Sequence, residues 1–444
     1  MIDVITLSTP ELGDRSYVVH NGDVGVAIDP QRDIERILRS AEVTGLRITH
    51  VAETHVHNDY VSGGWELARH LGVPYLVAGD EEVGFVRHPV RDGDQIRVAE
   101  GFSLRVVATP GHTPHHVSYI ALDRGQPVLA CTGGSLLFGS VGRTDLMGTA
   151  RAVELSRRQY RSAHVLGELP GSVEVLPTHG FGSFCSAGAA GTDASTIGEQ
   201  RTANLAFVAA NEEVFVESLL SSLGDYPRYY HRMGTINRQG APAPDLSAPP
   251  LLDGEQLCGA LTTEAWVVDL RGRGSFAANH LAGSLNFELD TPFTTYVGWL
   301  LPDDSPLVLL AENPKAIAVA QLDLARIGIE QPAGHYVGRL PPTSAASASG
   351  SYPVRGFDEL GLAMSDSTQV ALDVRRADEW EAGHLRGAVH VPLHQLDERI
   401  DDLPDGVLWV HCAAGYRAAI AASLLARRGR DVVLVDGRFT NPVD

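Results

Sequence analysis

Two histidines and an aspartate lie close together at His55, His57 and Asp59, directly after an apolar run at residues 46–52. The run predicts a strand, so the loop after it would direct several side chains to one place. Imidazole and carboxylate groups together suit zinc or iron. A His-X-His pair also occurs by chance in surface loops, so the assignment depends on the rest of the chain.

Further chemically active residues follow later apolar runs. His112, Asp145 and His179 each stand in a loop after such a run, and Gly133 and Gly134 follow another. Loops at the ends of neighbouring strands share one edge of a sheet, so residues that are distant in sequence can meet there. The pattern predicts a metal site assembled at that edge.

A reactive cysteine, Cys412, lies between an apolar strand at 407–410 and an alanine- and leucine-rich helix at 418–427. Backbone N–H groups at a helix N-terminus bind anions and favour a thiolate, and Arg417 adds a positive charge. The loop backbone would contact a substrate at Ala413, Ala414, Gly415 and Tyr416. The alternative is an inert buried cysteine, which is common outside such loops.

Two segments of biased composition divide the chain. Residues 237–250 are rich in proline and residues 341–353 are rich in serine and alanine, and both compositions disfavour packed elements. The predicted domains are residues 1–236, 251–340 and 354–444. A length of 444 residues also suggests roughly three domains.

The two smaller domains repeat each other. Val267–Arg271 resembles Ala371–Arg375, and in both copies an apolar strand, a short loop and a helix follow. Alternating strands and helices of this kind predict a parallel sheet covered by helices. Counted back from the ends of the two helices, Ala311 of the first copy stands where the second copy has Cys412.

The first copy therefore lacks the nucleophile. In its loop, Pro314 removes an N–H donor and Glu312 repels anions, so the loop should not hold a negatively charged sulfur species. We expect this middle domain to be catalytically inactive.

The large first domain mixes strands and helices. We predict strands within residues 17–29, 96–108, 117–122, 128–132 and 174–176, and helices over residues 34–41, 65–70 and 152–166. Asn21-Gly22-Asp23 predicts a hairpin turn. Strands and helices in both halves indicate a layered α/β sandwich.

Composition narrows the class of protein. The formal net charge is −20 without a basic block, which argues against binding to nucleic acid or anionic membranes. The N-terminal residues lack a signal-peptide pattern, and no apolar run reaches the roughly 18 residues of a membrane helix. Four cysteines, far apart in sequence, suit free thiols in a reducing cytoplasm, so we expect a cytoplasmic protein.

The ordered motifs of the first domain resemble the metallo-β-lactamase fold. Its pattern is His-X-His-X-Asp-His, then Gly-His-Thr, then an aspartate after a strand, then a late histidine. The motifs at residues 111–116, 142–145 and 177–180 most resemble persulfide dioxygenases fused to rhodanese domains. The resemblance covers the whole chain and implies an αββα sandwich followed by two α/β rhodanese-like domains with parallel sheets.

The same resemblance implies a mononuclear Fe(II) site with His55 and His112 as ligands. The family's third ligand is an aspartate, and this chain has Gly134 there, while Tyr60 replaces the last histidine of the first motif. We therefore expect His57 to complete a set of three histidines, with zinc as the alternative metal. Asp59, His179 and Asp145 would support these ligands from outside.

The implied function is bifunctional. The first domain would oxidise a low-molecular-weight thiol persulfide to sulfite, with Arg143 orienting an anionic thiol carrier. Cys412 would transfer sulfur to or from thiosulfate, sulfite or a thiol, with Asp373, Arg375 and Arg417 as further site residues. The resemblance also suggests a homodimer.

Two other functions remain open at this point. With zinc, the first domain could be a thioesterase-like hydrolase fused to a sulfurtransferase. Alternatively, because Gly134 cannot bind metal, the domain could be a metal-free scaffold that delivers persulfide to Cys412.

Overall fold

The computed structural model describes residues 1–186, 192–341 and 349–440. These residues form two compact units. The first comprises Met1–Pro244 together with Asp323–Gly328, and the second comprises the rest of the described chain. Within the described residues, no helix combines the length and the apolar composition needed to cross a membrane.

Two sheets form the centre of the first unit. One contains β1 (Asp3–Thr9), β2 (Asp14–His20), β3 (Val24–Ile28), β4 (Arg47–Ala52), β5 (Tyr75–Ala78) and β6 (His88–Val90), in that order. The other has the order β11-β10-β9-β8-β7 and contains β7 (Gln95–Ala99), β8 (Phe102–Ala108), β9 (Val117–Asp123), β10 (Gln126–Gly133) and β11 (Glu174–Pro177). Both sheets mix parallel and antiparallel pairs.

Helices cover both outer faces of this pair of sheets. They are α1 (Glu35–Thr44), α2 (Gly64–Leu71), α3 (Thr149–Gly167), α4 (Ile197–Ala203), α5 (Leu205–Val208), α6 (Glu212–Ser222) and α7 (Tyr230–Gln239). Ile37 of α1 and Leu67 of α2 pack on the first sheet, and Leu166 of α3 and Phe215 of α6 pack on the second. Between the sheets, alternate residues of β8 pack in a shared core, as the twofold period of a strand requires. The layers are helix, sheet, sheet and helix, so the predicted αββα sandwich is confirmed.

Of the strands and helices predicted for the first domain, one strand differs from the structure. Residues 17–29 form the predicted hairpin, β2 and β3. Residues 96–108, predicted as one strand, are two antiparallel strands, β7 and β8. Gly101, with φ of 73°, makes the tight turn between them, because its backbone adopts a left-handed conformation that other residues rarely adopt.

The sheet topology brings five strand ends to one edge. β3 and β4 run parallel, as do β10 and β11, while β8 and β10 both run antiparallel to β9, which lies between them. The segments that follow β3, β4, β8, β10 and β11 therefore begin at the same ends of their sheets. These segments carry Asp29, His55, His112, Gly134 and His179.

The second unit holds two parallel sheets. The middle module contains β12 (Trp266–Asp269), β14 (Leu285–Asn286), β15 (Leu307–Ala311) and β16 (Gly334–Val337) in the order β14-β12-β15-β16, and its β13 (His280–Leu281) pairs with β17 (Ser349–Gly350). The C-terminal module contains β18 (Val354–Arg355), β19 (Gln369–Asp373), β20 (Val389–His390), β21 (Val407–His411) and β22 (Val432–Val435) in the order β18-β22-β21-β19-β20. Followed from its other edge, the C-terminal sheet has the order β20-β19-β21-β22-β18. Its first four strands correspond to β14, β12, β15 and β16 of the middle module.

Helices accompany both sheets of this part of the chain. They are α8 (Gly254–Ala260), α9 (Arg273–Ala278), α10 (Phe293–Leu300), α11 (Pro314–Arg326), α12 (Phe357–Ala363), α13 (Ala377–Glu381), α14 (Leu396–Arg399) and α15 (Tyr416–Arg427). The strand register relates the two modules residue by residue. Asp269 pairs with Leu310 and Asp373 pairs with His411, so Ala311 and Cys412 occupy equivalent positions. The predicted linker at 237–250 begins inside α7, and residues 342–348 of the second linker lie outside the described residues.

Candidate metal centre and cysteine loop

Five histidines form one buried cluster in the first unit. The ring of His55 lies 4.1 Å from that of His57, 4.7 Å from His112, 4.8 Å from His116 and 5.3 Å from His179. Each of the five is at most 4% exposed. Burial lowers the pKa of His55 and His116 well below the usual range and lowers that of His112 to about 3. These neutral imidazoles keep a lone pair, which is what metal coordination requires.

His179 is oriented by two carboxylates. Its Nδ1 lies 2.8 Å from Asp14 and 3.0 Å from Asp59, which leaves Nε2 directed at His55 Nε2, 3.2 Å away. Burial would lower the pKa of His179, but the charges of Asp59 and Asp14 raise it to about 10. A histidine held through Nδ1 by a carboxylate is the usual arrangement of a metal ligand.

His57 faces acidic neighbours instead. Its Nε2 lies 3.4 Å from Asp29 and 3.5 Å from Glu53, and its ring stacks on Tyr60 at 4.3 Å. Despite burial, these carboxylates raise the pKa of His57 to about 9. Asp29 is itself fixed by the N–H and hydroxyl of Thr54, both at 2.7 Å.

Gly134 decides whether the family's iron ligands fit. A Cβ at this position would lie 2.3 Å from His112 Cδ2 and 2.8 Å from its Nε2, so the imidazole of His112 fills the space of the missing side chain. His112 Nδ1 donates to Arg143 O at 2.7 Å, and its Nε2 is buried without a hydrogen-bond partner. A set of two histidines and an aspartate at 134 therefore does not fit this chain. The histidine cluster itself, with unpaired imidazole nitrogen, does fit a divalent ion.

Four groups of residues in the described chain bring metal-binding atoms within 4.8 Å of one another. They are His55 with His57 and His179, His112 with His179 and Cys185, Asp14 with Asp59 and His179, and Asp29 with Glu53 and His57. No group unites His55, His57 and His112, the three residues predicted from the sequence, among the residues searched. His179, predicted as a supporting residue, belongs to three of the four groups.

Arg143 holds the loop of Cys185. Its guanidinium forms two hydrogen bonds with Asp145, at 2.7 and 2.8 Å, and donates to Phe184 O at 3.0 Å and Gly224 O at 2.9 Å. Its side chain is only 3% exposed. This geometry gives Arg143 and Asp145 a structural role, and it offers no support for the prediction that Arg143 binds a thiol carrier.

Several residues of the cluster were missed from the sequence. His116, whose Nε2 accepts from Gly134 N at 3.0 Å, belongs to the motif at residues 111–116, but the sequence did not predict a role for it. Cys185, Asp14, Asp29 and Glu53 were also missed. Asp29 directly follows β3 and Glu53 directly follows β4, so their position after an apolar run could have identified these two residues.

The loop after β21 surrounds Cys412, which is 2% exposed. Ala418 N, in the first turn of α15, donates to Cys412 Sγ at 3.4 Å. Gly415 has φ of 88°, and a Cβ there would lie 2.1 Å from Asp436 Oδ1, so the loop requires glycine. The helix N-terminus therefore directs the N–H of Ala418 at the sulfur, where it stabilises negative charge.

Neighbouring residues of the loop are fixed by the rest of the second unit. Ala413 O accepts from Phe439 N at 2.9 Å, and the Tyr416 hydroxyl donates to Glu288 O at 2.9 Å. Arg273, from the middle module, donates to Asp436 at 3.0 Å and lies 3.5 Å from Ala414 O. Ala414 is exposed, which makes it the open side of the loop.

Three charged residues predicted for this site lie in ion pairs. Arg417 forms two hydrogen bonds with Glu379, and although burial alone would lower the pKa of Arg417, this pairing raises it. Asp373 and Arg375 bond each other at 2.6 Å, and Arg375 also donates to Gly383 O at 2.8 Å. Asp373 and Arg375 thus fix the ends of β19 and the following turn, and their catalytic roles stay predictions.

Comparison with known proteins gives one match for the part of the chain with the histidine cluster and another for the part with the Cys412 loop. The model of the metallo-β-lactamase superfamily matches residues 16–163, and that of the rhodanese-like domain matches residues 357–441. Human mitochondrial persulfide dioxygenase ETHE1 is 32% identical over 208 residues, which are 46% of this chain and 72% of the human protein. The hydroxyacylglutathione hydrolase of Saccharophagus degradans is 34% identical over 164 residues, 35% of this chain and 56% of that protein.

A solved structure extends over more of the chain. The crystal structure of a metallo-β-lactamase from Staphylococcus aureus has 27% sequence identity and a TM-score of 0.68. It covers 76% of this chain, and 99% of its own length is matched.

Proposed function

Because the chain belongs to the metallo-β-lactamase superfamily and carries a rhodanese-like domain, we propose that it is an enzyme of sulfur metabolism with two reactive sites. One site transfers sulfane sulfur through Cys412. The other, at the histidine cluster of the first unit, oxidises a low-molecular-weight thiol persulfide. The observation that carries the proposal is the Cys412 loop, whose helix N–H donor reaches the sulfur.

Sulfur transfer at Cys412 needs no cofactor. The Cys412 thiolate attacks the outer sulfur of thiosulfate, a bond forms between the two sulfurs, and the bond to sulfite breaks as sulfite leaves. A thiolate acceptor then attacks the carried sulfur, takes it as a persulfide and restores the Cys412 thiolate. The N–H of Ala418 stabilises the Cys412 thiolate that begins and ends this cycle.

Persulfide oxidation at the histidine cluster consumes one persulfide, one O₂ and one water and gives the thiol and sulfite. His179 shares one candidate metal group with His55 and His57 and another with His112 and Cys185, and a divalent ion held there would activate the two reactants. Asp14 and Asp59 keep the Nδ1 of His179 engaged, so that Nε2 stays directed inward. The buried surroundings exclude bulk water from the site.

The transfer site is tested by replacing its nucleophile. We expect Cys412→Ser to lose thiosulfate sulfurtransferase activity to background and to show no added sulfur by intact-protein mass spectrometry after thiosulfate treatment. O₂ uptake with glutathione persulfide should be unchanged. Cys258→Ser, in the same unit but outside the loop, is the matched control and should retain transfer. Retained transferase activity in Cys412→Ser would refute the assignment.

A zinc-dependent hydrolase is the second candidate for the first unit. It is favoured by Gly134, which removes the carboxylate beside His112, and by relatives named hydroxyacylglutathione hydrolase. Metal analysis of protein purified without oxygen separates the two candidates. Iron together with persulfide-dependent O₂ uptake supports oxidation, whereas zinc, no O₂ uptake and cleavage of a hydroxyacylglutathione thioester support hydrolysis.

A further inference from the structure

The first unit lacks the metal-binding side chain expected at position 134. It holds a thiol, that of Cys185, which was not expected to be near the histidine cluster. Gly134 offers no side chain, and the ring of His112 occupies the space where that side chain would be. Cys185 lies in the same buried region, with metal-binding atoms of His112, His179 and Cys185 all within 4.8 Å of one another. All three residues are fully buried.

We propose that Cys185 is a thiolate ligand of the metal centre in the first unit, together with His112 and His179. The proposal rests on the metal-dependent activity proposed for that unit. It assigns the donor that Gly134 cannot supply to a residue that lies 51 positions later, counted from 134 to 185.

His112 has one ring nitrogen that is available to a ligand. Because a carbonyl oxygen only accepts, the contact with Arg143 O places the proton of His112 on Nδ1. Its Nε2 then carries a lone pair and is buried without a hydrogen-bond partner, an arrangement that costs free energy unless a proton donor or a metal ion satisfies it. Gly142, where a Cβ would lie 2.6 Å from His112 Nδ1, packs against the ring from the other side.

His179 is prepared in the same way. Its Nδ1 is engaged by Asp14 and Asp59, so Nε2 is the atom available for a ligand. The 3.2 Å between His179 Nε2 and His55 Nε2 is close to the separation of about 3.3 Å for two nitrogens bound to one tetrahedral zinc ion. His55 is therefore placed as an additional donor next to His179.

The position of Cys185 is fixed by the backbone around it. Cys185 O accepts from Arg143 N at 2.9 Å, Cys185 N donates to Ser183 Oγ at 3.2 Å, and Ser186 forms a bridge with Gly142. Ser183 in turn donates to Asp59 at 3.0 Å. The loop is thus tied to the same residues that orient His112 and His179, which fixes the backbone of Cys185 beside them.

A thiolate among imidazoles changes which metal is preferred. Thiolate and imidazole donors suit zinc and iron(II) and do not suit magnesium or calcium. The chain would thereby retain a transition-metal site although the carboxylate position is a glycine.

Cobalt substitution tests the ligand directly, because a thiolate bound to Co²⁺ gives an intense charge-transfer absorption in the near ultraviolet. Full-length protein is stripped of metal with a chelator and titrated with Co²⁺. We expect the wild type to show this band, and Cys185→Ser to lose it and to bind Co²⁺ at least about tenfold more weakly. Cys131→Ser, which changes another buried cysteine of the same unit, should keep both.

The outcomes separate this inference from the proposed function. Co²⁺ bound by the wild type without the charge-transfer band overturns the role of Cys185 and leaves the metal site intact. No Co²⁺ binding at all overturns the metal-dependent activity as well. A wild-type spectrum without the band is sufficient to overturn the role of Cys185, so the proposal can be refuted even if Cys185→Ser fails to fold. Gly134→Ala, which displaces His112, should also weaken Co²⁺ binding, and unchanged affinity in this variant counts against His112 as a ligand.

Discussion

The two modules of the second unit share a framework and differ in the loop that does chemistry. In the middle module Asp269 pairs with Arg271, and Arg271 donates to Asn279 O at 2.9 Å. In the C-terminal module Asp373 pairs with Arg375 in the same way, and Arg375 donates to Gly383 O. The strand order and the register around these pairs are also the same.

The difference lies beyond the end of the third strand. At the position of Cys412 the middle module has Ala311, and α11 begins with Pro314 three residues later, whereas α15 begins four residues after Cys412. The Asp-Arg pair therefore belongs to the scaffold, since it is present in the module that lacks the nucleophile. Reactivity then depends on the loop and on the helix N-terminus that serves it.

Removing the shared pair should have the largest effect. Asp373→Asn and Asp269→Asn each leave a largely buried arginine without its partner, which should lower the free energy of unfolding by about 3–5 kcal/mol. Urea denaturation measures this loss. Only Asp373→Asn should also lower sulfur transfer, because its strand pairs with His411, the neighbour of Cys412.

Asp405→Asn, at an exposed aspartate of the C-terminal module, is the matched control and should change neither quantity. If Asp269→Asn in folded protein reduced sulfur transfer as strongly as Asp373→Asn, the middle module would not be a mere scaffold.

More of the fold than of the metal site could be predicted from the sequence. The order of apolar runs and the turn at Asn21-Gly22-Asp23 predicted a layered α/β sandwich, because strands and turns are local properties, whereas the αββα arrangement was implied by the resemblance. The internal repeat aligned Ala311 with Cys412, and the strand register gives the same correspondence.

Side-chain partners across the fold could not be predicted in this way. The ring of His112 fills the space beside Gly134, so the missing aspartate changes the position of a neighbour as well as the donor set. His57 is drawn to Asp29 and Glu53, which stand 28 and 4 residues earlier, counted from 57. Such competition between carboxylates and metal for one imidazole depends on distances that only the assembled sheets define.

An ion pair present in only one module predicts a smaller, pH-dependent difference. Glu379 bonds Arg417, whereas the equivalent positions of the middle module are Ser275 and Ala316. Burial would raise the pKa of Glu379, but Arg417 lowers it to about 2 from 4.5. A depressed pKa in the folded state stabilises the fold above the unfolded pKa, and this contribution is lost as the pH falls through the folded value.

Glu379→Gln should therefore be less stable than wild type at and above pH 4.5, and the difference should shrink as the pH falls toward 2. Because the pair is partly exposed, its contribution should be about 1 kcal/mol. Urea denaturation at several pH values measures it, and Ser275→Ala in the middle module should show no such pH dependence. A difference that stays constant with pH would show that the charge of Glu379 is not its cause.

A cysteine placed in the loop of the middle module should not restore sulfur transfer. Ala311→Cys places a thiol at the position equivalent to Cys412, and in a Cys412→Ser background we expect no thiosulfate sulfurtransferase activity. The N–H of Ala316 in the first turn of α11 already donates to Asn313 Oδ1 at 3.0 Å, Pro314 has no N–H, and Glu312 adds negative charge. A thiolate there would meet one N–H that is already engaged, one that is missing and an added carboxylate, whereas Cys412 accepts from Ala418 N. Activity recovered in this variant would mean that the cysteine alone, rather than its loop, distinguishes the two modules.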